Sequence, residues 1–214
     1  MIKTDKKKKA FTLAEVLITL GIIGLIAAMT LPTLLSNINN SVYATRIRQV
    51  HAQLYTALSV YMANNDLAVI KPSIMPLYTE STTDISVSSF FKQSFNGVIA
   101  CYSPSPVCFA DKYTVNKSIV TTNSFNKFWM TNSSYLLRNG SSISIIPLTG
   151  QKERFRVVID VNNSRNPNLI GRDLWTLYIE NDGTLSTASG RGTCETDYDT
   201  CLHNLQNNNW KPDF

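Results

Sequence analysis

Residues 6–24 read KKKKAFTLAEVLITLGIIG. Four lysines run straight into an apolar stretch that carries one carboxylate, Glu15, almost at its start. From Val16 to Leu35 there follow twenty residues without a charge, with Gly21, Gly24 and Pro32 as helix breakers. Twenty residues at about 1.5 Å each span roughly 30 Å, the thickness of one bilayer core. Lysines ahead of such a run stay cytoplasmic, so Met1 is expected inside and everything after Leu35 outside. A lone charge within a membrane segment is expensive and finds a partner where it persists. Glu15 therefore asks for one.

Three readings compete for this segment. A secretory signal peptide has a shorter apolar region, about 7–15 residues, and a small-residue cut site behind it. Ile26-Ala27-Ala28 makes a mediocre site of that kind. A plain signal anchor fits the length but gives Glu15 no purpose. The third reading is specific: KKKKAFTLAEVLITLGIIGLIAAMTLPTLL, residues 6–35, resembles the prepilin leader and N-terminal helix of type IV pilins and type II secretion pseudopilins. The resemblance implies that prepilin peptidase cuts between Ala10 and Phe11 on the cytoplasmic side. It implies that Phe11 is then N-methylated and that the apolar helix is kept. The residue before the cut is usually glycine in the family, and here it is Ala10. Glu15 falls where the family has its assembly carboxylate, and Pro32 where many members carry a helix-weakening proline.

The physics runs the same way. A cut after Ala10 discards all five leader lysines and leaves an α-amine on Phe11, which is largely cationic at neutral pH. Glu15 lies four residues further on, within helical reach, and a carboxylate in a first turn suits the helix dipole. Pairing inside one chain is the simpler account. Pairing with the Phe11 amine of a neighbouring subunit is what the family implies, and a paired buried charge specifies register.

Met1–Ala10 holds five lysines against one aspartate and so carries four of the five net positive charges. The remaining chain is nearly neutral, and nucleic-acid binding, which leaves a clustered basic face, is disfavoured. There is no HExxH, Walker loop, GxGxxG or GxSxG, and the scattered carboxylates propose no acid–base pair. The expectation is a structural protein, not an enzyme. His51, beside Val50, reads as a surface or packing residue, and neither it nor His203 has a metal-ligand neighbour in sequence.

The four cysteines form two local pairs, Cys101/Cys108 and Cys194/Cys201, each enclosing six residues. Two short disulfide loops are the simplest of the three connectivities, and an extracytoplasmic location permits oxidation. Buried free thiols are the alternative.

Beyond the membrane run, Tyr43, Ile47, Val50, Leu54, Leu58 and Tyr61 step by three and four, one apolar stripe at helical period. One long helix from Phe11 to about Asn65 is expected, bent or weakened at Pro32. Residues 66–83 read as loop. Asp84–Phe95 reads as a short helix capped by Asp84, or as a strand by its alternating Ser and Val. Residues 101–124 read as a cysteine-closed loop region. Ser142–Leu148, Arg154–Val161, Leu174–Asn181 and Thr184–Thr187 read as antiparallel strands, with turns at 149–153 and at Asn181-Asp182-Gly183.

The fold class is α+β: a long N-terminal helix, its first half transmembrane, packed on a small antiparallel β-sheet head, as in pilins. The domain plan is a cleaved leader 1–10, a hydrophobic assembly helix 11–35, its amphipathic continuation 36–65 and an extracytoplasmic head 66–214. The stretch 160–173 is dense in oxygen-bearing side chains, and its DVNxxxxPNxxGxD pattern resembles a structural loop in the heads of prepilin-like proteins. Calcium takes such oxygens and is bound by some pseudopilins near the C-terminus, so Asp160, Asn162 and Asp173 are its candidates here. Turn formation is the competing reading, and no other cofactor is expected.

The function implied is a subunit of a type IV pilus or a secretion pseudopilus. Its partners would be other pilin or pseudopilin subunits, prepilin peptidase, the inner-membrane assembly platform and lipid before assembly. The alternative is a static membrane-anchored binding or adhesion module.

Overall fold

The computed structural model describes residues 11–76, 85–101, 108–115, 118–121, 133–150, 152–188, 194 and 198–212. The chain divides into two compact units, with the boundary between Asn39 and Asn40. Helix α1, Leu13–Asn64, contributes to both and continues through Pro32.

In the N-terminal unit α1 is apolar all round, with a window of mean hydropathy 2.2. Among the described residues it is the one helix long and apolar enough to cross a membrane. Its large side chains are exposed, from Phe11 and Leu13 through Ile23 and Leu25 to Leu34 and Leu35. Two hydroxyls are tied off inside the helix. Thr19 donates to the Glu15 carbonyl at 2.9 Å and Thr30 to the Ile26 carbonyl at 3.0 Å. In lipid every polar group needs such an internal partner, and the back-bond supplies it.

In the second unit the expected stripe is observed. Ile47, Val50, Leu54, Leu58 and Tyr61 are buried, with Tyr43 partly so. At the end of α1 the Asn65 side chain donates to the Tyr61 carbonyl at 2.8 Å, taking one of the orphan acceptors that every helix terminus leaves.

Helix α2, Val87–Ser94, settles the Asp84–Phe95 stretch as helix. Its cap is Ser86: the Ser86 hydroxyl accepts the Ser89 N–H and the Ser89 hydroxyl accepts the Ser86 N–H, each at 3.0 Å. This is a capping box closed by two serines. Asp84, the expected cap, lies outside the described residues. Val87, Phe90 and Phe91 go into the core, and Phe91 stacks on Tyr135 with ring centroids 4.1 Å apart.

A six-stranded antiparallel sheet forms the rest of the core in the order β1-β4-β5-β6-β7-β8. Its strands are β1 (Ile99–Cys101), β4 (Ser134–Leu136), β5 (Ser142–Leu148), β6 (Arg154–Asp160), β7 (Leu174–Ile179) and β8 (Leu185–Ser186). The centre is in register as Val157 opposite Ile145 and Leu177. With a two-residue period, Ile143, Ile145, Phe155, Val157, Ile159, Trp175, Leu177 and Ile179 share one face, and all are buried. The opposite face carries Arg156, Thr176 and Tyr178.

The segment read as a cysteine-closed loop, 101–124, holds a hairpin instead: β2 (Lys112–Val115) against β3 (Ser118–Thr121). Residues 102–107, 116–117 and 122–124 of that segment lie outside the described residues. The chain closes with a single 3-10 turn, Tyr198–Thr200, leading into α3, Cys201–Asn207. Disulfides join Cys101 to Cys108 and Cys194 to Cys201.

Candidate functional site

The start of α1 is built by Thr12 and Glu15. Thr12 donates its backbone N–H and its hydroxyl to the same oxygen, Glu15 Oε2, each at 2.8 Å. The Glu15 N–H returns a bond to Thr12 Oγ1 at 3.2 Å. This is the reciprocal Thr-x-x-Glu box that satisfies donors at a helix N-terminus. The carboxylate thus sits at the positive end of the helix dipole, at the head of the apolar surface. Phe11 stands just before it, 86% exposed. Glu15 and Phe11 are therefore adjacent at the helix entrance, Pro32 lies some twenty residues along α1, and Ala10 lies outside the described residues. Thr12 carries no charge to mark it, and its signal in the sequence is the Thr-x-x-Glu spacing to Glu15.

The second cluster gathers the calcium candidates. Asp160 and Asp173 are both fully buried. Asp160 Oδ2 accepts the Tyr113 hydroxyl at 2.6 Å and Oδ1 accepts the Asn162 N–H at 3.0 Å. Asp173 accepts the Asn168 N–H at 2.8 Å and the Leu169 N–H at 2.5 Å, one on each oxygen. Asn162 donates its amide to the carbonyls of Arg165 and Asn166 at 3.0 and 3.2 Å. All four carboxylate oxygens are thus aimed at N–H or O–H donors of the chain itself. Among the described residues no three His, Cys, Asp or Glu side chains converge on a metal-sized site. Asn162 Oδ1 and Asn168 Oδ1 are buried without a hydrogen-bond partner, and the loop is pinned to β2 by Thr114 N–H to the Asn168 carbonyl at 2.9 Å and by Ile170 N–H to the Thr114 carbonyl at 3.1 Å.

Burial raises both carboxyls. Asp160 is pushed up to about 8 by desolvation, against the opposing pull of the Tyr113 hydrogen bond, and Asp173 to about 6. Tyr113 is raised as well, by burial and by the neighbouring Asp160 charge.

The C-terminal disulfide rests on the same loop. Gly171 has φ +84°, and a Cβ there would overlap the Cys194 sulfur and crowd the Cys201 sulfur. Next to it, Asp199 accepts hydrogen bonds from Arg156 and from the Tyr178 hydroxyl, the latter at 3.0 Å. Arg154 lies over the Tyr178 ring at 3.9 Å. These contacts fix the 3-10 turn and α3 to the sheet.

The N-terminal geometry is that of a long, exposed apolar helix opened by the Thr12–Glu15 box. The model of the prokaryotic N-terminal methylation motif matches residues 5–31. That motif is the type IV pilin and pseudopilin signature, and in this chain it ends one residue before Pro32. No curated protein and no solved structure matches the chain.

Proposed function

We propose that this chain is a prepilin-like structural subunit. Prepilin peptidase cuts it between Ala10 and Phe11, Phe11 is N-methylated, and the mature chain assembles into a type IV pilus or type II secretion pseudopilus fibre. The observation that carries this reading is the methylation motif lying over an exposed helical stretch, uncharged from Val16 to Leu35, whose first turn presents Glu15. Before assembly the helix is held in the inner membrane, with the lysines in the cytoplasm and the head outside. Within the fibre, apolar packing replaces lipid, and Glu15 meets the cationic terminus of a neighbouring Phe11. The role is structural and not catalytic.

The mass of the N-terminal peptide of the membrane-derived protein tests this reading. A peptide beginning at Phe11 with one added methyl is expected. An intact Met1 would instead fit a static membrane-anchored binding module.

A further inference from the structure

Helix α1 starts at Leu13, and Phe11 and Thr12 stand outside it. The first bond of its backbone ladder runs from the Val16 N–H to the Thr12 carbonyl at 3.3 Å. In a helix one residue longer, the Glu15 N–H would go to the Phe11 carbonyl. It goes instead to Thr12 Oγ1, at 3.2 Å. One step further back, the Ala14 N–H would take the carbonyl of Ala10, which belongs to the bond cut in the processing reading.

We propose that Thr12 is a positioning residue for leader removal: by stopping α1 at its own position, it keeps the Ala10–Phe11 amide out of the helical ladder. The inference rests on the processing reading and adds a residue to it. Hydrolysis adds water across that amide, the hydroxyl to the Ala10 carbonyl carbon and the proton to the Phe11 nitrogen, and the bond between them breaks. The carbonyl oxygen gathers charge as water attacks and needs the donors of the peptidase around it. A helical N–H already bonded to that oxygen, on chain wound into a turn, stands in their place. Proteolysis accordingly concentrates in exposed chain outside regular structure, and Phe11 is exposed.

The sequence gives the helix no other stop nearby. Residues 6–11 read KKKKAF, with no Ser, Thr, Asp, Asn, Gly or Pro among them, and alanine and lysine are good helix formers. The next residues of N-cap type towards the N-terminus are Asp5 and Thr4. A helix begun there would enclose the Ala10–Phe11 bond. The stop at Thr12 is a bond to the backbone of residue 15, so it does not require the Glu15 side chain. The carboxylate strengthens it by taking the Thr12 N–H and hydroxyl, each at 2.8 Å.

The test is pulse-chase processing of the full chain in cells that carry prepilin peptidase, with N-terminal mass to place the cut. Thr12→Ser and Thr12→Asn keep an N-cap acceptor, Thr12→Val keeps the shape of threonine without one, and Thr12→Ala keeps neither. The Ser and Asn variants should be cut within about twofold of the parent rate, and the Val and Ala variants roughly fivefold more slowly, the equilibrium value of one N-cap. In micelles, the Phe11 carbonyl-carbon shift should move to the helical range in Thr12→Val and stay put in Thr12→Ser. With the parent cut at Phe11, the inference is overturned if Thr12→Val or Thr12→Ala keeps pace with Thr12→Asn, or if the Phe11 shift is unmoved in Thr12→Val. A slow Asn variant beside a fast Val variant would mark direct reading of side-chain shape by the peptidase. A parent chain that retains Met1 refutes the processing reading itself, and this inference with it.

Discussion

Tyr113 and Asp160, forty-seven residues apart, meet through a 2.6 Å hydrogen bond at two fully buried positions. The bond joins the β2–β3 hairpin to the end of β6, and it places a carboxyl where water does not reach.

That placement has a pH signature. Unfolded, Asp160 titrates near the usual carboxylate value; folded, near 8. Between those values the folded state holds the extra proton, so stability is fullest at the acid side and falls as pH rises towards 8. Asp173 acts in the same sense up to about 6, and His51, depressed by burial, opposes below its ordinary range. The window from pH 6.5 to 8 therefore isolates Asp160. A stability loss on the order of 1–2 kcal/mol across it is expected. Thermal melts at fixed ionic strength should show a Tm that declines through this window in the parent and stays flat in Asp160→Asn. A parent Tm that rises would refute the assignment.

Glu15→Ala and Glu15→Val remove the carboxylate and leave the apolar surface whole. Both variants should insert in the membrane and lose the leader, yet fail to enter a fibre, as read by shearing and immunoblot of cell-surface or overproduced fibres. Normal incorporation would show that no partner is needed at Glu15.

Gly171 and Gly140 share φ +84°, but only a Cβ on Gly171 would meet the disulfide; at Gly140 nothing lies within 4 Å. Gly140→Ala should cost about 1–2 kcal/mol, the conformational penalty alone. Gly171→Ala should add roughly 1–3 kcal/mol for overpacking and leave free thiols that a reagent assay counts. Equal melting temperatures for the two variants would contradict the packing described.

Asp199→Ala should loosen α3 by about 1.5–3 kcal/mol, because it removes a charged acceptor from the half-buried Arg156 and from Tyr178. Lys152→Ala, which removes an exposed lysine from a Glu180 still held by Arg154 and Ser186, should change stability by less than about 1 kcal/mol. Denaturant midpoints compare the two directly, and a larger effect at Lys152 would be the wrong order.

Legibility in the sequence followed the range of the forces involved. The stripe from Ile47 to Tyr61 and the strands at 142–148, 154–160 and 174–179 announced themselves, because period and β-branched content are local. The hairpin at 112–121 and helix α3 did not. Both are short, and tertiary contacts hold them: Tyr113 to Asp160, Asp199 to Arg156, Cys194 to Cys201. Asp160, Asn162 and Asp173 stood out as a cluster of oxygens. Their burial, and the donors that consume those oxygens, depend on partners such as Tyr113 that no spacing rule connects. At the N-terminus the charge logic was readable, and the Thr12 box lay in plain sight as Thr-x-x-Glu.

The second unit closes a core of its own, beginning at Ala44 and running to Leu205. Its largest fully buried side chain is Trp175. The indole fluorescence of that one residue therefore reports the unit's folding from the inside.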